Sequence, residues 1–158
     1  MAPVGSSLVQ ALAGLPNLAE PLPGWVTGGQ PSAAQLAAFK RAGGEVVVDN
    51  RDSMEPRPFD EPAVVREAGL QYINLPIVHG AVTLDTMKGM HELAKKYAGK
   101  KVLLHCSSGN RTAAALIPYF MIDKGMDEEA AADQAMQMGL RSAELLELAQ
   151  EYVRKEQS

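Results

Sequence analysis

The sequence predicts an α/β fold three layers deep, with a mainly parallel central sheet of four to five strands flanked by helices. Three observations carry this. Four short apolar or β-branched runs (Trp25-Val26-Thr27, Glu45 to Asp49, Gln71 to Leu75, Lys101 to His105) end in turn residues and are too short for helices. Helical patterns with polar caps lie between them, an alternation that implies βα crossovers. The last run enters a tight polar loop and then an apolar helical pattern from Ala113 to Ile122.

Taken in order, the first 22 residues read as an irregular lead-in with one brief helix, on the pattern Leu8, Val9, Leu12 and Leu15. Trp25-Val26-Thr27 is expected as a first, edge strand, turned by Gly28-Gly29. Ser32 caps a helix through Ala42, with Leu36, Ala37 and Phe39 in register, and Gly43-Gly44 ends it. Glu45 to Asp49 reads as a buried strand. The polar stretch from Asn50 to Asp60, with two prolines, must be a loop leaving a strand end, where open α/β sheets place ligands. Glu61 to Ala68 is a short helix closed by Gly69, and Pro76 stops the strand from Gln71. Thr83 caps a helix to about Ala98, and Lys101 to His105 then delivers Cys106. Pro118 should kink the helix that follows the loop. Asp127 and Ser142 cap two more helices, to Met138 and to about Lys155.

A length of 158 residues suits one domain with an ordinary core, expected over 1–158. The net charge of −4 offers no broad basic field for nucleic acid. One cysteine excludes an intrachain disulfide, and no zinc-type ligand set is recognisable, so neither metal nor organic cofactor is expected. No apolar run approaches a membrane span, and the start lacks the pattern of a signal peptide, which makes cytoplasm the expected address.

The chemistry concentrates at His105-Cys106-Ser107-Ser108-Gly109-Asn110-Arg111-Thr112. A loop running into a helix start aims several backbone N–H groups at one spot, and the helix dipole adds positive potential. A thiol there is expected to be held as thiolate, facing an oxyanion pocket that the Arg111 fork would grip. Cys106 and Arg111 are therefore the catalytic candidates. Ser107, Ser108, Gly109 and Asn110 would bind substrate through backbone N–H groups, with the polar side chains either contributing or solvated. Gly109 serves geometry, by positive φ or close approach. His105, ending a buried strand, points away from Cys106 and braces the loop through backbone groups. Arg51 either adds positive potential at the mouth or pairs locally with Asp52 or Glu55. His91 reads as part of a solvated helix face, and the methionines (Met87, Met90, Met121, Met136 and Met138 among them) as core filler.

His105-Cys106-x4-Arg111-Thr112 resembles the signature loop of tyrosine and dual-specificity phosphatases, which place five residues between cysteine and arginine where this chain has four. Rhodanese-type sulfurtransferases are similar in using a shorter loop that starts at the cysteine. The chain looks most like a bacterial phosphatase-like family, once a domain of unknown function, whose domain also occurs fused to metallo-β-lactamase-like persulfide dioxygenases. That likeness rests on Gly28-Gly29-Gln30-Pro31-Ser32, a strand ending in Asn50-Arg51, and the Cys-x4-Arg loop, and covers roughly Pro23 to Ile122. It implies a cysteine-phosphatase-like fold, and favours a Thr112 hydrogen bond to the Cys106 sulfur, although Thr112 could simply begin the helix. Dual-specificity phosphatases protonate the leaving alcohol with a loop Asp; here His79 stands at that place, and the next carboxylate, Asp85, falls in a helix first turn.

The shortened loop and the missing Asp both point to a sulfurtransferase on this scaffold. Cys106 would take sulfur from thiosulfate or a persulfide and pass it to a thiol or cyanide acceptor. The alternative is a phosphatase acting on a phosphate ester through a phosphocysteine at Cys106, with His79 or Asp85 as acid. A third reading is a non-catalytic anion- or partner-binding module.

Overall fold

The computed structural model describes residues 6–158; the first five positions of the lead-in lie outside the described residues. Five strands form one sheet in the order β1-β2-β5-β3-β4, where β1 is Ala19–Leu22, β2 Trp25–Gly28, β3 Val46–Asp49, β4 Gln71–Asn74 and β5 Val102–His105. The pairs β2·β5, β5·β3 and β3·β4 are parallel, and only β1 runs antiparallel, against β2. Parallel strands need crossovers, and the helices α2 (Ala33–Arg41), α3 (Glu61–Glu67) and α4 (Leu84–Lys96) supply them.

Alternation along the strands sorts two cores. Trp25, Val46, Val48, Val102 and Leu104 face α4, α5 (Asn110–Ala115), α6 (Glu128–Gln137) and α7 (Ala143–Glu156). Val26, Val47 and Leu103 face α1 (Ser7–Ala11), α2 and α3 through Leu8, Leu36, Phe39 and Val65. The three-layer expectation holds, and both faces of β3 and β5 are buried, which is why they read as unbroken apolar runs. The expected caps also form: Ser32, Thr83, Asp127 and Ser142 each accept a hydrogen bond from the first turn of their helix.

Four expectations are corrected. Trp25 to Gly28 is an interior strand, because Ala19–Leu22 pairs outside it and takes the edge. Pro21 disguised that strand; a proline lacks the donor a central strand needs and is tolerated at an edge. The helix after the loop is cut short at Ala115, and a π-helical segment (Tyr119–Asp123) follows Pro118, so the chain breaks and widens where a kink was expected. Met136 is 54% exposed, outside the core to which Met87, Met90 and Met138 belong. His91 is buried, not solvated: Nδ1 lies 3.0 Å from the Tyr152 hydroxyl and Nε2 donates to Asp123 at 2.6 Å. It joins α4, the π segment and α7, and burial with the nearby Glu156, Glu92 and Asp123 charges raises the Tyr152 phenol above its ordinary range. Truncation of His91 leaves these partners without their bonds. His91→Ala is expected to cost about 2 kcal/mol, read as a lower midpoint in thermal unfolding, and an unchanged midpoint would remove the role given to this contact.

Candidate active site

Parallel strands that start in register also end in register. Gly28, His105 and Asp49 lie side by side at the carboxyl ends of β2, β5 and β3, and the chain leaves each of them into a loop of the candidate site.

The Gly28-Gly29-Gln30-Pro31-Ser32 run cradles the loop after Cys106. Gln30 N–H donates to the Ser107 carbonyl at 3.1 Å, and Cys106 N–H to the Gly28 carbonyl at 3.3 Å. A Cβ on Gly29 would lie 2.6 Å from the Ser107 carbonyl oxygen, so only glycine fits beneath the loop. Asn17, in the lead-in, donates to the Ser108 carbonyl at 2.7 Å, a support the sequence did not disclose. Cys106 is 1% exposed, and its Sγ accepts a hydrogen bond from Gly109 N–H at 3.1 Å. Gly109 has φ +105°, and α5 begins at Asn110. The Asn110 side chain turns to the opposite side, accepting from Arg141 N–H at 2.8 Å and Ser142 N–H at 3.3 Å. Thr112 begins the helix in its first turn, and its hydroxyl goes to Asn50 Oδ1 at 3.0 Å. That bond ties α5 to the end of β3, in place of the sulfur contact the resemblance favoured.

Beneath the loop lies a knot of charge. His105 Nε2 sits 2.6 Å from Glu61 Oε2 and Nδ1 sits 3.2 Å from the Cys106 carbonyl. Both ring nitrogens thus face oxygen atoms, one of a carboxylate and one of the backbone. The brace expected of His105 is present, but a carboxylate shares it with the backbone. Arg51 is buried and pairs with neither Asp52 nor Glu55, which corrects the local-pair reading. Its guanidinium forks onto Asp49 at 3.0 and 2.9 Å and reaches Glu61 at 3.1 Å. Arg57 and the Tyr72 hydroxyl also donate to Asp49. Asp49, Glu61 and His105 bring one ligand atom each within 4.8 Å of one another, a spacing a divalent cation could use. The Arg51 guanidinium already joins both carboxylates, so this group is a salt-bridge network.

Above the loop is a cavity of about 350 Å³ lined by Asp52, Glu55, Val78, His79, Ser107 and Arg111. His79 and Arg111 both line it. Asp85 does not: it is an exposed residue in the first turn of α4. The residue sequence reasoning missed is Glu55, whose carboxylate takes Arg111 Nη1 at 2.6 Å and Nη2 at 2.8 Å. That contact holds the Glu55 carboxyl below its ordinary range and raises the Arg111 guanidinium further. A second anchor for Arg111 is the Ile77 carbonyl, at 3.0 Å.

The Asp49 carboxyl is pushed up by burial, but hydrogen bonds from Arg51 and Tyr72 and the His105 charge bring it down to about 2 from 3.8. A depressed carboxyl stabilises the fold above its unfolded value, and that contribution fades as pH falls from about 4 to about 2. The loss amounts to about 2 kcal/mol. Thermal unfolding followed across this range should show that acid limb in the wild type. Asp49→Asn should lack it and start from a lower midpoint at neutral pH; parallel curves for the two proteins would contradict the assignment.

No helix among the described residues is long and apolar enough to cross a membrane. No curated protein matches the chain. Solved structures of similar fold include a putative phosphatase (DUF442) from Shewanella putrefaciens, with TM-score 0.81 and 22% identity over 93% of this chain and 97% of that one. Another is the core catalytic domain of the PP-IP phosphatase SIW14 from S. cerevisiae in complex with citrate, with TM-score 0.75 and 13% identity over 90% and 88% of the two chains. A third is P. aeruginosa TpbA in complex with pTyr, with TM-score 0.64 and 22% identity over 96% and 86%. The family profile described as a DSP-PTPase phosphatase fused to NAD+ kinase matches residues 23–156. The strand–Cys106–loop–Arg111 arrangement therefore sits on a phosphatase scaffold, and the chain belongs to the DSP-PTPase family so described.

Proposed function

We propose that the protein is a cysteine-dependent phosphatase acting on a phosphate monoester. The observation that carries this is the placement of Cys106 Sγ below a loop whose Arg111 opens into a cavity beside His79. The comparisons support phosphoryl transfer over the sulfur transfer that the shortened loop suggested, since the matched family is one of phosphatase domains. Water then replaces the expected thiol acceptor.

In the first step Cys106 Sγ, as thiolate, forms an S–P bond while the ester P–O bond breaks. Loop N–H groups and the Arg111 fork carry the charge of the equatorial oxygens. The departing alkoxide takes a proton from His79, an exposed residue on the cavity wall. In the second step water attacks phosphorus, His79 accepts its proton, and phosphate leaves with the thiolate restored.

Rapid-quench intact-protein mass spectrometry should trap a phosphoryl adduct on mixing with an aryl phosphate, absent in Cys106→Ala. A sulfur adduct from thiosulfate, with no phosphoryl adduct, would return the assignment to sulfur transfer, and full turnover in Cys106→Ser would end both. His79→Gln should lower kcat/KM, which reports S–P bond formation and precedes the water step, for an alkyl phosphate by about 100-fold. On the same readout a nitrophenyl ester, whose leaving group hardly needs the proton, should be nearly unaffected, so equal losses on both substrates would remove His79 as the acid.

A further inference from the structure

Arg111 is expected to receive the oxyanion, yet its donors are largely taken. Of the five N–H groups a guanidinium carries, Nη1 gives its two to Glu55 Oε2 and the Ile77 carbonyl, and Nη2 gives its two to Glu55 Oε1 and Ser107 Oγ. Glu55 grips both prongs of the fork, as a bound oxyanion would. The charge balance agrees. Asp52 and Glu55 on the cavity wall outweigh the single guanidinium, and the neighbouring Arg51 and Arg57 are held by Asp49 and Glu61. Cys106 is absent from the lining of the cavity while Glu55 is part of it.

We propose that Glu55 is an internal oxyanion mimic that closes the Arg111 site, and that any anionic ligand binds by displacing it. The displacement has a short path. The Glu55 side chain is 31% exposed, so it can swing into water while the incoming anion takes its place on the buried Arg111 guanidinium. The bond it gives up besides Arg111 is the one it accepts from Asp52 N–H. The Ile77 carbonyl keeps Arg111 aimed while the carboxylate is away. Glu55 thus serves as a gate as well as part of the cavity wall. The chemical identity of the displacing anion rests on the phosphatase reading, but the displacement itself is a binding event and needs no turnover.

The test is titration of isotope-labelled protein with sodium sulfate and, separately, sodium nitrate at fixed ionic strength, following the amide resonances of residues 107–111. Glu55→Gln and Glu55→Ala are compared with the wild type, and their thermal midpoints confirm folding. Removing a competitor that leaves on binding tightens every ligand by one common factor, expected to be about tenfold. A Glu55 that stays beside the ligand would instead repel a dianion more than a monoanion, so sulfate would gain much more than nitrate; that result overturns the proposal. Weaker sulfate binding in both variants also overturns it, because Glu55 would then be a brace that Arg111 needs. Common tightening without phosphatase turnover in any of the proteins would leave the gate standing and discard the phosphatase reading alone.

Discussion

The site depends on one buried ion network, Asp49–Arg51–Glu61–His105. It joins the ends of two adjacent parallel strands to the first turn of α3. Nothing apolar could do the same work. The loop after Cys106 must leave β5 at a fixed angle, and His105 sets that angle by holding the Cys106 carbonyl. His105 is held in turn by Glu61, and Glu61 by Gln30 and Arg51. A buried ionic group is weak evidence for stability, because desolvation offsets most of the Coulomb gain. Its use here is directional. Each charged group has partners on different chain segments, so the network fixes the relative position of those segments in a way that interchangeable methyl groups would not.

Much of this was legible in the sequence, and the division is physical. Ser32, Thr83, Asp127 and Ser142 were readable as caps because a cap is a bond between residues three apart. Val46 to Asp49 and Val102 to His105 were readable because strands buried on both faces carry no polar alternation. Cys106 and Arg111 stood out because the loop that carries them is contiguous. What failed was set by distant partners. Arg51 has Asp52 as a sequence neighbour but finds Asp49 at the strand end and Glu61 at the start of α3. His91 sits between Met90 and Glu92 and gave no sign of Asp123 or Tyr152. Glu55 and Arg111 are 56 positions apart. Loop length is silent for the same reason: counting four residues from cysteine to arginine says nothing of the Glu55 and Ile77 atoms that hold Arg111.

These partners bear on how an acidic protein attracts an anion. The chain carries a net charge of −4, and near the site each guanidinium has a carboxylate: Arg51 and Arg57 on Asp49, Arg111 on Glu55. Long-range steering by net charge is therefore not available. What remains is local and conditional. Backbone N–H groups in the loop are fixed dipoles that no carboxylate neutralises, and the Arg111 charge becomes available only when Glu55 leaves. The buried pair at Arg51 cannot respond in this way, because its guanidinium and carboxylates are almost wholly enclosed. Glu55, a third exposed, can. Burial thus divides two chemically similar ion pairs into a permanent brace below the loop and a reversible stopper above it.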